Sequence, residues 1–392
     1  MERIYLDHNA TTPMRAEVRA RFLAALDEVS GNPSSLHDSG RRARHLLDDA
    51  RQRVAATLAV DEDEIVFTSG GTEANNLALF GVLHDGADRR ALAVGATEHS
   101  SVLGPARELE RRGHGLHVLP VDSTGTIELE TLTELAKRSE LALVSVMAAN
   151  NEIGTLAPLA DIRPRLPAGA KAPLFHSDAV QALGRAALDL RGWGIDLASF
   201  SAHKLGGPLG VGVLFKRRAL ELRPLMFGGE QEGALRPGTE NVAAISAAAL
   251  AIELAVRERA SLEERLRRLS MELWKELGQR LSDVRLIGLP LDHARRLPGT
   301  LNMLTHTHDG KVLVMRLDLE GLECSAGSAC ASGSLEPSHV LLALGHVAEE
   351  ARAGLRVSLG RSSTWSDVRK AVDILGRTLG ATNAKRDERS GL

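Results

Sequence analysis

Lys204 closes the apolar run Ile195, Leu197, Ala198 and Phe200, stands beside His203, and precedes Gly206, Gly207, Pro208 and Gly210. A strand that delivers an amine to a glycine loop lets backbone approach a ligand closely, and it suits a nucleophile that depends on desolvation. Arginine far outnumbers lysine in this chain, so Lys204 reads either as a Schiff-base amine or as a surface turn lysine. Val211 to Phe215 reads as the returning strand.

A second stretch, Glu64 to Asn76, runs from the β-branched segment Ile65-Val66-Phe67 through Ser69-Gly70-Gly71 into a helix-prone segment starting at Thr72. Strand, glycine turn and helix N-terminus make an anion site, because free backbone N–H groups and the positive dipole end meet a phosphate. The spacing fits neither a Walker loop nor a dinucleotide fingerprint. A third stretch, Ser325 to Ser338, has no bulky apolar residue before Leu335, which predicts a mobile exposed loop with Cys330 at its middle as a reactive thiol. Cys324, at a strand end, reads as an inert buried cysteine. His306-Thr307-His308-Asp309 lacks further ligands at helical or knuckle spacing, so no metal is expected.

These groups need a frame that brings them together. Helices are expected at Glu17 to Leu26 and Gly40 to Leu58, from apolar residues at three- and four-residue spacing. Apolar strands at Ala91 to Ala96, Gly115 to Val121, Leu141 to Met147, Leu174 to His176 and Leu197 to Phe200 alternate with helical segments. That alternation predicts an α/β fold with a mostly parallel sheet covered on both faces. Ligands of such sheets bind beyond the carboxyl ends of the strands. Thr72, His99, Asn151, Asp178 and Lys204 all sit where strands stop, so they are expected to converge. Singly, each has a plainer reading: His99 as a histidine near a helix start, Asp178 as an N-cap, Asn151 as a turn former.

Asn241 to Leu281 is a long helical pattern, apolar early and charged later, with a break expected near Ala260-Ser261. Strands at Val284 to Ile287, Thr300 to Leu304 and Gly321 to Cys324, with helices at Gly310 to Leu317, Ser338 to Leu344 and Thr364 to Leu379, then predict a smaller α/β domain. The last residues, AKRDERSGL, read as a frayed tail. The expected division is a large domain over 15–258 and a small domain over 1–14 and 259–392, the latter carrying the Cys330 loop. A chain of 392 residues with 43% hydrophobic content accommodates two such cores. A net charge of -3 gives no footprint for nucleic acid. Without a basic-then-apolar leader or a long apolar run, no membrane association is expected, and two cysteines exclude a disulfide framework. A cytoplasmic enzyme acting on a small molecule is expected.

Taken together, SGGTEANN (69–76), TEH (97–99), NNEIG (150–154), DAVQ (178–181), SAHKLGGP (201–208), RPGTEN (236–241), SAGSACASGSLEPS (325–338) and RVSLGR (356–361) resemble the pyridoxal-phosphate cysteine desulfurases of the NifS/IscS kind, within the class V aminotransferase group. The resemblance runs from LDHNATTP near the start to RVSLGR. It implies a fold-type I pyridoxal-phosphate enzyme in which Lys204 is the Schiff-base lysine, Asp178 pairs with the pyridinium nitrogen and His99 stacks on the ring. Gln181 and Asn151 would contact the pyridine hydroxyl or substrate side. Gly71, Thr72, Ser201 and His203 would hold the phosphate, and Thr239 would reach the phosphate of a neighbouring subunit in a homodimer. Arg356, helped by Asn32, would clamp the substrate carboxylate. The implied reaction converts L-cysteine to L-alanine, with sulfur held as a persulfide on Cys330 and passed to an acceptor protein for iron-sulfur cluster, thio-cofactor or tRNA biosynthesis. The alternative is another fold-type I enzyme, a selenocysteine lyase or small-substrate aminotransferase. Leu209 stands where many relatives carry a lysine, which leaves the catalytic groups in place.

Overall fold

The computed structural model describes residues 3–84, 90–169, 171–305, 309–327 and 336–390, with side chains of the last helix through 380. In chain order the first part comprises β1 (Ile4–Tyr5), α1 (Ala16–Glu28), α2 (Asp38–Leu58), β2 (Ile65–Thr68), α3 (Gly71–Val82), β3 (Ala91–Gly95) and α4 (Ser100–Arg111). There follow β4 (Leu116–Leu119), α5 (Leu129–Arg138), β5 (Leu141–Ser145), β6 (Leu174–Asp178), β7 (Leu197–Ser201), β8 (Gly212–Lys216) and α6 (Val242–Arg280). The remainder is β9 (Arg285–Leu286), β10 (Thr300–Leu304), α7 (Gly310–Leu319), β11 (Leu322–Glu323), α8 (His339–Ala343), α9 (Ala348–Arg352), β12 (Gly354–Ser358) and α10 (Trp365–Ser390).

A seven-stranded sheet in the order β2-β8-β7-β6-β5-β3-β4 forms the centre of the first part. The strands from β7 to β4 are mutually parallel, and β8 runs antiparallel to both β7 and β2. Two reversals cancel, so the carboxyl end of β2 lies on the same edge as those of the parallel strands. Both faces are covered, which is why β5 and β7 are buried at every position and read as continuous apolar runs rather than alternations. Gly212 opens β8 against the turn before α3: a Cβ there would lie 2.4 Å from the Gly70 carbonyl carbon.

The second sheet is antiparallel, in the order β12-β10-β9. Its alternation is clean. Leu301, Met303, Leu355 and Val357 enter one hydrophobic cluster with α6, α7 and α10, while Thr300, Asn302, Arg356 and Ser358 form a buried polar face on the other side. In the sequence, strand β12 shows only as the motif RVSLGR. β11 pairs with β1 rather than joining this sheet, so the amino-terminal segment is held against the second half of the chain.

Helix α6 corrects the expected break. It runs unbroken over 39 residues, with Arg259 and Arg267 both paired to Glu263 across the change in composition at 3.1 and 3.3 Å. Ser261 satisfies its hydroxyl on the Glu258 carbonyl at 2.9 Å, and neither alanine nor serine interrupts the backbone ladder as proline would. The first half packs in the clusters containing α1 and α2, and the second half in the cluster of the smaller sheet. The carboxyl-terminal residues also differ from expectation, since helix α10 continues to Ser390.

Candidate active site

The carboxyl edge of the large sheet, the amino-terminal segment and the polar face of the small sheet enclose a cavity of about 220 Å³. Its lining brings together Gly71, Thr72, His99, Asn151, Asp178, Gln181, Ser201, His203, Lys204 and Arg356. Chain distance is thus no obstacle, because the residues of the large sheet follow strands whose carboxyl ends open on the same edge.

Lys204 lies in a short 3-10 turn directly after β7, ended by Gly206 in the left-handed conformation (φ 77°), where a side chain would be strained. Its Nζ donates to the carbonyls of Asn9 at 2.5 Å and Ala10 at 2.6 Å. Asp178 ends β6. One carboxylate oxygen accepts from Asn75 Nδ2 at 2.7 Å and the other from the Val180 N–H at 3.0 Å, so its direction is set from two sides. Glu98 is fully buried, and burial first and Asp178 second push its carboxyl well above the usual range. Glu98 accepts from the Met147 N–H, and both its burial and the neighbouring Asp178 disfavour its charged form.

His99 is the N-cap of α4, accepting from the Ser101 N–H at 3.1 Å, with Nδ1 also 2.7 Å from Ser101 Oγ. Capping a helix and lining the cavity are therefore compatible in one side chain. The amino terminus of α3 lines the same cavity as Ser201 and His203, and Gly71 lies beside Ser201. The His203 ring pairs through Nδ1 with Thr11 Oγ1 at 3.0 Å, and burial followed by Lys204 lowers its pKa to about 4, so it is neutral at pH 7. Backbone N–H groups, two hydroxyls and a neutral imidazole make a donor set for a phosphate.

Arg356 reaches across from β12. It is 1% exposed, pairs with Asp7 at 2.8 Å and donates to the Asn151 carbonyl at 3.1 Å, while its Nε has no partner among the described residues. A buried guanidinium with an unspent N–H suits a carboxylate ligand. Thr239 and Asn32 are not among the lining residues. Both are exposed, and the Asn32 side chain accepts from the Ser34 N–H at 2.8 Å within its own turn. Cys330, with 328–335, and the histidines His306 and His308 fall outside the described residues. No group of metal-binding side chains occurs among the described residues. Cys324 is buried, and burial pushes its thiol up to about 12, which makes it a poor nucleophile.

The structure also assembles residues that the sequence does not single out. Asn9 is the main one. Its N–H donates to Ser358 Oγ, its Nδ2 to the Asn151 carbonyl and Thr300 Oγ1, all at 3.0 Å, and its carbonyl receives Lys204 and Gln181. Asn9 thereby ties the polar face of the small sheet to the edge of the large one. Asn9 lies within LDHNATTP and Asn75 within SGGTEANN, but nothing in the linear pattern distinguishes them from turn formers.

An amine, a phosphate cradle at a helix terminus and a fixed carboxylate lining one cavity match the three polar parts of pyridoxal phosphate: aldehyde, phosphate and ring nitrogen. Comparison with known proteins agrees. The profile described as aminotransferase class-V matches residues 4–371. The cysteine desulfurase IscS of Dictyoglomus turgidum is 41% identical over 377 residues, covering 96% of this chain and 94% of that protein. The IscS-like cysteine desulfurase of Mycobacterium tuberculosis is 41% identical over 378 residues, covering 95% of each. Among solved structures, one described as a NifS-like protein superposes with a TM-score of 0.88 at 35% identity, covering 96% of this chain and 99% of that one. SspA in complex with cysteine superposes with a TM-score of 0.77 at 30% identity, covering 91% of this chain and 98% of that one.

Proposed function

Since the chain belongs to the class V aminotransferase family and is a pyridoxal-phosphate-dependent cysteine desulfurase of fold type I, we propose that it captures the sulfur of L-cysteine as a persulfide on Cys330 and hands it to an acceptor protein. The observation that supports this reading best is the cavity itself, with the Lys204 amine, the Asp178 carboxylate and the Arg356 guanidinium on its walls. Lys204, Asp178, His99, Gln181, Asn151, Gly71, Thr72, Ser201 and His203 are the residues that would hold the cofactor. When bound, pyridoxal phosphate supplies an electron sink conjugated to the substrate Cα.

The protein's own groups divide the work. Arg356 fixes the substrate carboxylate and so the direction of the Cα–H bond. The Lys204 amine takes the Cα proton as general base, and His99 sits where it can hold or return a proton on the substrate side. The Cys330 thiolate attacks the substrate sulfur: an S–S bond forms as the C–S bond breaks, its electron pair stays with carbon, and a proton restores the methyl group. Cysteine and one thiol become alanine and one persulfide, which balances without an added oxidant. Asn32, whose Oδ1 is held in its own turn, would still have its Nδ2 to assist Arg356 with the carboxylate.

The same reading includes a homodimer in which Thr239 completes the phosphate cradle of the partner subunit, a cytoplasmic setting, and an acceptor such as an iron-sulfur scaffold or a tRNA-thiolation protein. It also keeps the division into a large unit over 15–258 and a small one over 1–14 and 259–392. The decisive experiment is mass analysis of the Cys330 peptide after L-cysteine is added to the holoenzyme. A gain of one sulfur is expected. A Cys330→Ser variant is expected to keep its visible absorbance and lose about three orders of magnitude of alanine release, and full turnover by that variant would sink the persulfide assignment.

A further inference from the structure

Arg185 lies in the segment after β6, four residues beyond Gln181, and is buried. Its Nη1 donates to Asn9 Oδ1 at 2.5 Å and to Gln181 Oε1 at 3.1 Å, and its Nη2 donates to the His8 carbonyl at 3.1 Å. All three acceptors are neutral. Burial of a cation without a contacting carboxylate is costly, and residues of this kind are almost always paired. Burial first and nearby Arg356 second bring this guanidinium down to about 10, so it remains charged at pH 7.

The surrounding charges lean the same way. A second cavity of about 130 Å³ is lined by Arg185 together with Arg15, Lys204 and Arg361. Two carboxylates of this region are already engaged, Asp7 with Arg356 at 2.8 Å and Glu258 with Arg15 at 2.8 Å. Arg185 also decides how Gln181 is turned. Because Oε1 is turned toward Arg185 and one Nε2–H is donated to the Asn9 carbonyl at 2.9 Å, the second Nε2–H is the donor that Gln181 can offer a ligand in the main cavity.

We propose that Arg185 is a positioning residue with two roles, one geometric and one electrostatic. It turns the Gln181 amide so that a donor faces the cavity, and it supplies positive charge that the bound phosphate and the substrate carboxylate balance. The inference rests on the desulfurase reading but makes a separate claim about binding. Arginine specifically is required for the geometric role, since its fork reaches Asn9, Gln181 and His8 together, whereas any cation meets the electrostatic one.

The test compares holoenzyme carrying Arg185→Gln or Arg185→Lys with the parent, measuring kcat and KM for L-cysteine and the loss of pyridoxal phosphate during gel filtration, followed by visible absorbance. The glutamine variant is expected to raise KM about tenfold with kcat changed less than about threefold, and to shed cofactor faster. The lysine variant is expected to retain cofactor as the parent does, while KM stays raised about threefold. If lysine and glutamine behave alike, the electrostatic role is wrong. If both keep the parent's KM and cofactor retention and only melt at a lower temperature, Arg185 is merely structural. Should the glutamine variant not fold, Gln181→Leu in the Arg185→Lys background decides. The KM effects are expected to be non-additive, and simple additivity would overturn action through Gln181. A parent enzyme that holds cofactor yet does not turn over L-cysteine would break the desulfurase reading while leaving the cofactor-retention comparison intact.

Discussion

The two sheets carry chemistry in different ways. In the large sheet the cavity-lining groups sit at the tips, where Asp178 and Ser201 end β6 and β7 and Lys204 follows. In the small sheet the polar groups share a face instead, where Thr300, Asn302, Arg356 and Ser358 lie side by side and Arg356 lines the cavity. Parallel strands covered on both sides have no polar face to offer, so their only solvated ground is beyond their ends. An antiparallel sheet with one apolar face can carry a run of polar groups on the other, here buried against Asn9 and Asn151. On the proposed function, the tips would hold the groups that make and break bonds, and Arg356 on the face would align the substrate.

Three sets of substitutions probe that division. Lys204→Ala removes a tip. Cα–H exchange of bound substrate in deuterated solvent, read by mass spectrometry, is expected to fall by about four orders of magnitude, with Arg356-dependent substrate binding retained. Thr300→Val with Ser358→Ala strips Asn9 of two partners on the face. KM is expected to rise about tenfold with kcat changed less than about threefold, and a collapse of kcat comparable with the Lys204 variant would erase the distinction between tip and face.

The smallest effect belongs to a strand interior. His176 in β6 bridges Ser145 and Ser199 on the neighbouring strands at 2.8 and 3.1 Å, and burial lowers its pKa to about 3 from 6.5. The unfolded chain therefore takes up this proton as pH falls below 6.5, while the folded chain resists until about 3, so stability is present above 6.5 and is lost progressively across that interval. His176→Asn is expected to flatten the pH dependence of the urea midpoint between about pH 6.5 and 4 without changing turnover. His8 and His203, each lowered to about 4, keep part of the slope.

The same contrast explains what can be read from the chain alone. Tip residues interrupt apolar runs, so Lys204, Asp178, His99 and Thr72 announce themselves as punctuation, and the parallel sheet that gathers them follows from strand and helix alternation. Face residues do not. Thr300 and Asn302 alternate with Leu301 and Met303 as any half-buried strand would, and only the pairing of β10 with β12 reveals that their polar side meets Arg356 and Ser358. Asn9 and Arg185 are hidden for a further reason: each acts through hydrogen bonds to residues far along the chain, 291 positions for Asn9 with Thr300 and 176 for Arg185 with Asn9, which no local periodicity encodes. Helix α6 departs from its expected break because a change from apolar to charged surface looks like an interruption in the linear pattern, whereas it marks a change of neighbours along one continuous rod.

That rod sets how the enzyme can move. Its amino-terminal half is embedded with α1 and α2 and its carboxyl-terminal half with β10, β12 and α10, over a length of about 60 Å. Swinging the small sheet away from the large one would require bending a hydrogen-bonded cylinder anchored at both ends. The geometry between Arg356 and Lys204 is therefore held like two jaws mounted on a single beam.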